Sequence, residues 1–402
     1  MSPEDARLTR EDLVGYFCSA VVPEEKNRIG VEYEIFCFDR ANRKRLAYEG
    51  EPGTGWLLRR LLEGAGGDPV EEAGRLVGIE HPDYSVSIEP GGQLEASFPP
   101  CRTVIEFAQC LENYLVRLRA AGGEQVAFIA SGADPVTPLN RVPWVPKRRY
   151  RIMRRYWEKK RGLSLHMMAQ TAAVQVSIDY NSEADAAGKL SSAVALSQVV
   201  SALFANSPVY GGIYRYTPSF RKKIWCRTDR ERSGVPAGCG GKIGSFADYV
   251  DYALSIPMLF ILRAGRLEEL EERFTFRDFL LRGWRGEYPG LGDWRRHLNT
   301  IFSLVRFNNT TIEVRFFDSN RPALVAAIAA LVKGLFYSGR EFDPLADPAA
   351  LAAIARENLE GEEGRFLDPL DRMIREGVSP ADYALRAFRA GGIDGLLDGL
   401  TI

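Results

Sequence analysis

The stretch that most constrains this chain is Arg28-Ile29-Gly30-Val31-Glu32-Tyr33-Glu34-Ile35-Phe36. Its residues alternate, so in an extended strand Val31, Tyr33 and Ile35 share one face and Glu32 and Glu34 the other. Two carboxylates that close repel unless something cationic stands between them. Taken alone, the pattern has two readings: a half-exposed strand with a solvated acidic face, or a site for a hard cation, which takes carboxylate oxygens. Recurrence favours the second. In Tyr84-Ser85-Val86-Ser87-Ile88-Glu89, Val86 and Ile88 face one way and Ser85, Ser87 and Glu89 the other. Pro90-Gly91-Gly92 then bends the chain and Glu95 follows. In Thr311-Ile312-Glu313-Val314-Arg315-Phe316, the residues Ile312, Val314 and Phe316 form the apolar face, with Glu313 and Arg315 opposite. Arginine is the residue suited to phosphate. The expectation is a sheet whose concave face gathers carboxylates around two or more Mg²⁺ ions, with Arg315 reaching a nucleotide phosphate.

The remaining strands and helices follow from periodicity. Strands are expected at 28–38, 84–95, 126–131, 173–180 and 310–317. In 173–180, Val174, Val176, Ile178 and Tyr180 lie on one side, and Gln175, Ser177 and Asp179 on the other. Helices are expected at 5–20, 56–62, 103–121, 183–205, 246–255 and 267–273, from Pro322 onward, and through much of 343–402. The segment 147–161 is strongly basic with interleaved aromatics. Such a run reads as a nucleic-acid stripe, as a helix lining a site for anionic substrates, or as a solvated face. The segment 209–245 is rich in glycine and aromatics with little periodicity, and long irregular stretches in compact chains are commonly functional loops.

Composition excludes some roles. The net charge of −1 supplies no global field toward nucleic acid or membrane. The six cysteines show neither CxxC nor zinc spacing, and reduced thiols are expected. The acidic Met1-Ser2-Pro3-Glu4-Asp5 lacks a signal-peptide core, and the apolar run from Ala323 to Val332 is far short of the roughly 20 residues a membrane span takes. A cytoplasmic location is expected. No internal repeat or low-complexity linker divides the chain, so 1–402 is expected to be one domain.

Several familiar motifs are missing. Gly240-Gly241-Lys242 mimics the end of a phosphate-binding loop, but Pro236 stands where the first glycine is needed and Ile243 follows the lysine. There is no GxGxxG and no HExxH, and His81, His166 and His297 are scattered. A bound nucleotide must therefore be held through Mg²⁺ on carboxylates and by arginines.

At this point the residues resemble a known family, the glutamate–cysteine ligases of the plant and proteobacterial type, within the glutamine synthetase-like superfamily. Ile29-Gly30-Val31-Glu32-Tyr33-Glu34 looks like that family's opening acidic strand, and Ser87-Ile88-Glu89-Pro90-Gly91-Gly92-Gln93-Leu94-Glu95 is similar to its most specific motif. Further blocks match in order, among them Pro146 to Met153, Thr171 to Asp179, Ala202 to Pro208, Asp248 to Ala253 and Glu313-Val314-Arg315. The resemblance implies an α+β fold: a twisted, largely antiparallel sheet forming a funnel, with helices outside. It implies ATP-dependent ligation through an acyl phosphate, with glutamate, cysteine or another amine as substrates, in a monomer or homodimer. It implies Glu32, Glu34, Glu89, Glu95 and Glu313 as metal ligands, Gln175 near the metal–nucleotide site, and Arg315 on ATP phosphate. Arg221 would hold the substrate α-carboxylate, with Trp225 and Thr171 beside it, and Arg232 is a weaker phosphate or substrate candidate.

The chain also departs from the pattern. Phe316-Phe317-Asp318-Ser319-Asn320 stands where the family has a small residue and a glycine-rich turn, and His166 stands where an acid is usual. No presumed ligand is lost, and these positions bear on the second substrate. A sibling ligase with another acceptor or donor therefore stays open, as does an inactive nucleotide- or nucleic-acid-binding relative.

Overall fold

The computed structural model describes residues 7–236, 243–270, 273–343 and 345–402. Met1 to Asp5 and Gly240-Gly241-Lys242 lie outside the described residues.

Nine strands form the main sheet: β1 (Ile29–Asp39), β2 (Asp68–Glu72), β3 (Arg75–His81), β4 (Tyr84–Ile88), β5 (Leu94–Ser97), β6 (Val126–Ile129), β7 (Ala173–Ile178), β8 (Val305–Asn308) and β9 (Thr311–Asp318). Their order is β8-β9-β7-β1-β5-β4-β3-β2, and β6 pairs with the far half of β1. Every pairing in this sheet is antiparallel, as expected. The acidic strand β1 is central because its alternate residues Val31, Tyr33 and Ile35 are all buried. Such a face must be covered by other elements.

The cover is helical. The helix Pro322–Phe336 starts with proline at its first position, where the missing N–H costs nothing. It is buried from Val325 to Phe336 and packs on β7 and β1. Beside it lies Val104–Gly122, started by a capping box between Thr103 and Glu106. The carboxylate of Glu363, on the C-terminal segment, joins the two. It accepts from the Val104 backbone N–H at 2.5 Å and from Lys333 Nζ at 2.8 Å. The last residues also reach the sheet, with Ala130 N donating to Leu400 O and Ile402 N to Phe128 O. The helix Glu183–Leu203 is long and apolar enough to cross a membrane by length and composition alone. It packs on β8 and β9, as a core helix does.

Two expectations are corrected, and one hairpin was missed. The stretch 84–95 is two strands, β4 and β5, with the Pro90-Gly91-Gly92 bend as their hairpin turn. Of the helix expected at 267–273, residues 271–272 lie outside the described residues, and its start is instead the strand Arg266–Glu269, paired with Phe260–Arg263 across Ala264 and Gly265, both at positive φ. Positive φ at both turn residues matches the twist of a tight hairpin. The β2–β3 hairpin turns the same way at Ala73 and Gly74 and went unread because β2 is almost wholly exposed, leaving no apolar alternation.

Candidate active site

Register brings the polar residues of separate strands into rows. Ser87 pairs with Glu95, and Glu95 with Glu34. Glu32 pairs with Gln175, Ser177 with Glu313, and Glu313 with Arg306. Four expected carboxylates thus share one face of adjoining strands. Glu89, just beyond β4, joins them from the turn, where Glu89 N donates to Gln93 O and Gly92 N to Glu89 O, both at 2.8 Å.

This turn is held from beneath. A Cβ on Gly91 would come within 2.2 Å of the Ala169 carbonyl oxygen, so only glycine lets the turn lie on that backbone. Gln93 donates to Thr171 O at 2.9 Å and accepts from Gly91 N at 3.0 Å. Arg45 donates to Gly91 O at 2.6 Å and pairs with buried Asp134 at 2.6 Å. From above, the Tyr150 hydroxyl lies 2.9 Å from Ile88 O and 3.0 Å from Glu89 Oε1, and Lys147 Nζ donates to Ile88 O at 2.8 Å. The basic segment is a helix, Arg148–Glu158, with Tyr150, Ile152, Met153 and Trp157 buried. Arg149, Tyr150 and Met153 line the cavity over the carboxylates.

That cavity is open to solvent and holds about 70 Å³. Glu34, Glu89, Thr171, Arg221, Trp225 and Arg315 all line it, so the structure brings together most of the expected site. Arg315 donates to Glu313 Oε1 and to Gln175 Oε1. Gln175 Nε2 donates onward to Glu34 at 3.1 Å and Glu95 at 3.2 Å. Arg221 lies on the helix Phe220–Trp225, its NH2 donating to Arg315 O at 2.8 Å and its guanidinium 5.5 Å from the Trp225 ring centroid.

The electrostatics show an array short of positive charge. Burial, then repulsion from Glu313, pushes Glu32 up to about 7 against the pull of Arg315 and Arg306. Burial and Glu89 push Glu34 up to about 8. Burial and the neighbouring carboxylates hold Glu95 well above the ordinary range. Glu313 goes the other way: burial would raise it, but the guanidinium groups of Arg306 and Arg315 outweigh burial and hold it low. The donor set is all oxygen, which suits Mg²⁺. Among the described residues, no three carboxylate, histidine or cysteine side chains are already gathered at ion-holding distance. Arg315, between Glu313 and Gln175, supplies a local counter-charge.

Two expectations change here. Arg232 is fully buried and spent on structure, donating to Thr300 O at 3.0 Å, Pro257 O at 2.8 Å and Asp229 Oδ2 at 3.2 Å, and it does not line the cavity. Phe316 does not simply continue the apolar face. The register slips between Val314 and Phe317, placing Arg315 and Phe316 together opposite Gln175. Such a bulge re-aims side chains, and Phe316 lines a second cavity alongside Arg315, Arg221 and Trp225. Arg306 was missed. It donates to Glu313 Oε2 at 2.7 Å and Ile301 O at 2.7 Å, and the alternation Val305-Arg306-Phe307 was the available signal.

Known proteins resemble this chain in sequence and in fold. The model of glutamate–cysteine ligase family 2 matches residues 28–349. The chloroplastic glutamate–cysteine ligase of Nicotiana tabacum is 32% identical, over 95% of this chain and 80% of that one. Glutamate–cysteine ligase A, chloroplastic, of Oryza sativa subsp. indica is 36% identical, over 95% of this chain and 85% of that one. The solved glutamate–cysteine ligase of Francisella tularensis, in complex with AMP, shares the fold with a TM-score of 0.56 at 11% identity, covering 93% of this chain and 87% of that one. The plant relatives are named chloroplastic, which overturns the expected cytoplasmic location. That expectation rested on the lack of a secretory signal core, which does not bear on organelles. The chain belongs to glutamate–cysteine ligase family 2.

Proposed function

We propose that this chain joins the γ-carboxyl group of glutamate to the amine of cysteine at the expense of ATP, giving γ-glutamylcysteine, the first step of glutathione synthesis, with residues 1–402 acting as one catalytic unit. The observation that carries this reading is the row of carboxylates from three strands and a turn, of which Glu34 and Glu89 line one cavity together with Arg315 and Arg221. Glu32, Glu34, Glu89, Glu95 and Glu313 would hold Mg²⁺, and the raised Glu32, Glu34 and Glu95 are the groups such an ion would return to their charged form. Mg²⁺ there supplies neutralisation of phosphate charge. Gln175 and Arg315 would face the nucleotide, with Arg315 on a phosphate oxygen. Arg221 would hold the α-carboxylate of glutamate against Trp225, with Thr171 lining the same cavity.

A γ-carboxylate oxygen of glutamate attacks the γ-phosphorus of ATP, forming a C–O–P bond as ADP leaves. The cysteine nitrogen then attacks the acyl carbon, an amide bond forms, phosphate departs with the bonding pair, and the amine loses a proton. The protein positions charge and needs no covalent nucleophile. The partners would be small molecules, without nucleic acid or membrane, for a monomer or homodimer.

A second reading keeps this chemistry and changes the amine. Phe316, at the bulge beside Arg315, motivates it. The test is incubation with ATP, Mg²⁺ and glutamate, adding cysteine or other amines in turn, with phosphate release and product mass recorded. Cysteine-dependent release with γ-glutamylcysteine is expected. Indifference to cysteine with turnover of another amine would favour the second reading.

A further inference from the structure

Asp318, the last residue of β9, is buried where no metal role is assigned. Its Oδ2 accepts from Asn206 N at 2.8 Å and Ser207 Oγ at 2.7 Å, and its Oδ1 accepts from Ser219 Oγ at 2.9 Å. Both hydroxyls pass the connection on. Ser219 caps the helix Phe220–Trp225, its Oγ accepting from Lys222 N at 3.1 Å. Ser207 Oγ accepts from the backbone N–H of Arg221 itself at 3.2 Å. Two relays, each carboxylate to hydroxyl to N–H, therefore fix the first turn of the helix that bears Arg221. Gly132 packs so closely that a Cβ there would lie 2.2 Å from Asp318 Cγ, so the carboxylate cannot drift. At the far end, Arg221 is anchored through one nitrogen to Arg315 O, while its buried Nε has no partner among the described residues.

We propose that Asp318 is a positioning residue that aims Arg221 at the α-carboxylate of the donor acid, through the hydroxyls of Ser207 and Ser219. This rests on the reading of the reaction given above. A donor without an α-carboxylate makes no use of Arg221, so a fault in its aim is invisible to that donor and costly to glutamate.

The experiment compares glutamate with 4-aminobutyrate, which keeps the γ-carboxyl group and lacks the α-carboxylate, by phosphate release at saturating ATP, Mg²⁺ and cysteine. Asp318→Asn is expected to lower kcat/KM for glutamate about 10- to 100-fold, the scale of a misaligned hydrogen bond to a charged group, mainly through KM. The value for 4-aminobutyrate and the KM for ATP should stay within about twofold, because neither depends on that bond. Ser219→Ala should fall in the same selective way, and Ser219→Thr, which keeps the hydroxyl, should recover. An equal loss for both donors, or none for glutamate, overturns the proposal. A wild-type protein that turns over no glutamate overturns the reaction reading instead. Glutamate binding by calorimetry, compared between wild type and Asp318→Asn, then decides the positioning claim by itself: weaker binding upholds it and equal binding overturns it.

Discussion

Replacing Glu32 with glutamine should make the metal-free protein more stable and the working enzyme worse. The folded carboxyl sits at about 7 against an ordinary 4.5, through burial and the Glu313 and Glu89 charges, with no hydrogen bond among its leading causes. Folding therefore holds this proton more tightly than the unfolded chain does. The resulting contribution is complete below pH 4.5 and is lost as pH rises through 7. At about 1.4 kcal/mol per tenfold of proton affinity, the ionised side chain withdraws ~3 kcal/mol at pH 8. Its partial exposure reduces this to on the order of 2 kcal/mol. A chain of 402 residues has an unfolding entropy of about 0.8 kcal/mol/K, so Glu32→Gln should melt about 2 °C above wild type at pH 8 without metal. The gap should close toward pH 5. Added Mg²⁺ should reverse the order, because an ion at a hundred times its Kd contributes about 2.7 kcal/mol to a site it fits. Scanning calorimetry of both proteins with and without Mg²⁺, across pH 5 to 8, reads all of this. A variant that melts below wild type at pH 8 without metal, or gains as much from Mg²⁺, would refute the reasoning.

Three further outcomes follow from the geometry. Glu313→Gln should lower turnover by roughly 10²-fold or more while the protein still folds, because the amide oxygen can still accept from Arg306; steady-state kinetics beside circular dichroism checks both halves. Gly91→Ala drives a Cβ into the Ala169 carbonyl, so a loss of about 1–3 kcal/mol in denaturant unfolding should accompany lost activity as the Glu89 turn moves. Arg232→Met should destabilise by about 3 kcal/mol by leaving Asp229 short of a partner, with the KM for ATP unchanged. A selective rise in that KM with normal melting would return Arg232 to the nucleotide site.

The site was legible from sequence where a rule of period two applies. Glu32, Glu34 and Gln175 follow from alternation along β1 and β7, which needs no knowledge of partners. The rule stops at the slip between Val314 and Phe317, since one inserted residue leaves no mark on composition and yet moves Phe316 to a cavity wall. Arg232 shows a different limit. A buried arginine satisfied by carbonyls reads, in a string of letters, like one waiting for phosphate, and only distances to Thr300 and Pro257 separate the two. Asp318 stood out as a departure in pattern, but its three donors come from loops about a hundred residues away along the chain.

Glu363 carries a lesson about where this enzyme can be trimmed. The family match stops at residue 349, and every carboxylate and arginine of the site lies before it. A chain shortened there would keep every residue proposed for the site and lose the acid that neutralises Lys333 inside the core and caps the backbone at Val104. It would also lose the terminal residues that complete the hydrogen bonding of β6, the strand beside the far half of β1. An unpaired buried ammonium alone costs about 3–5 kcal/mol, a large share of what holds a typical fold together. The smallest piece able to work therefore extends well past the residues that match the family, and its final helices act as a keystone rather than a tail.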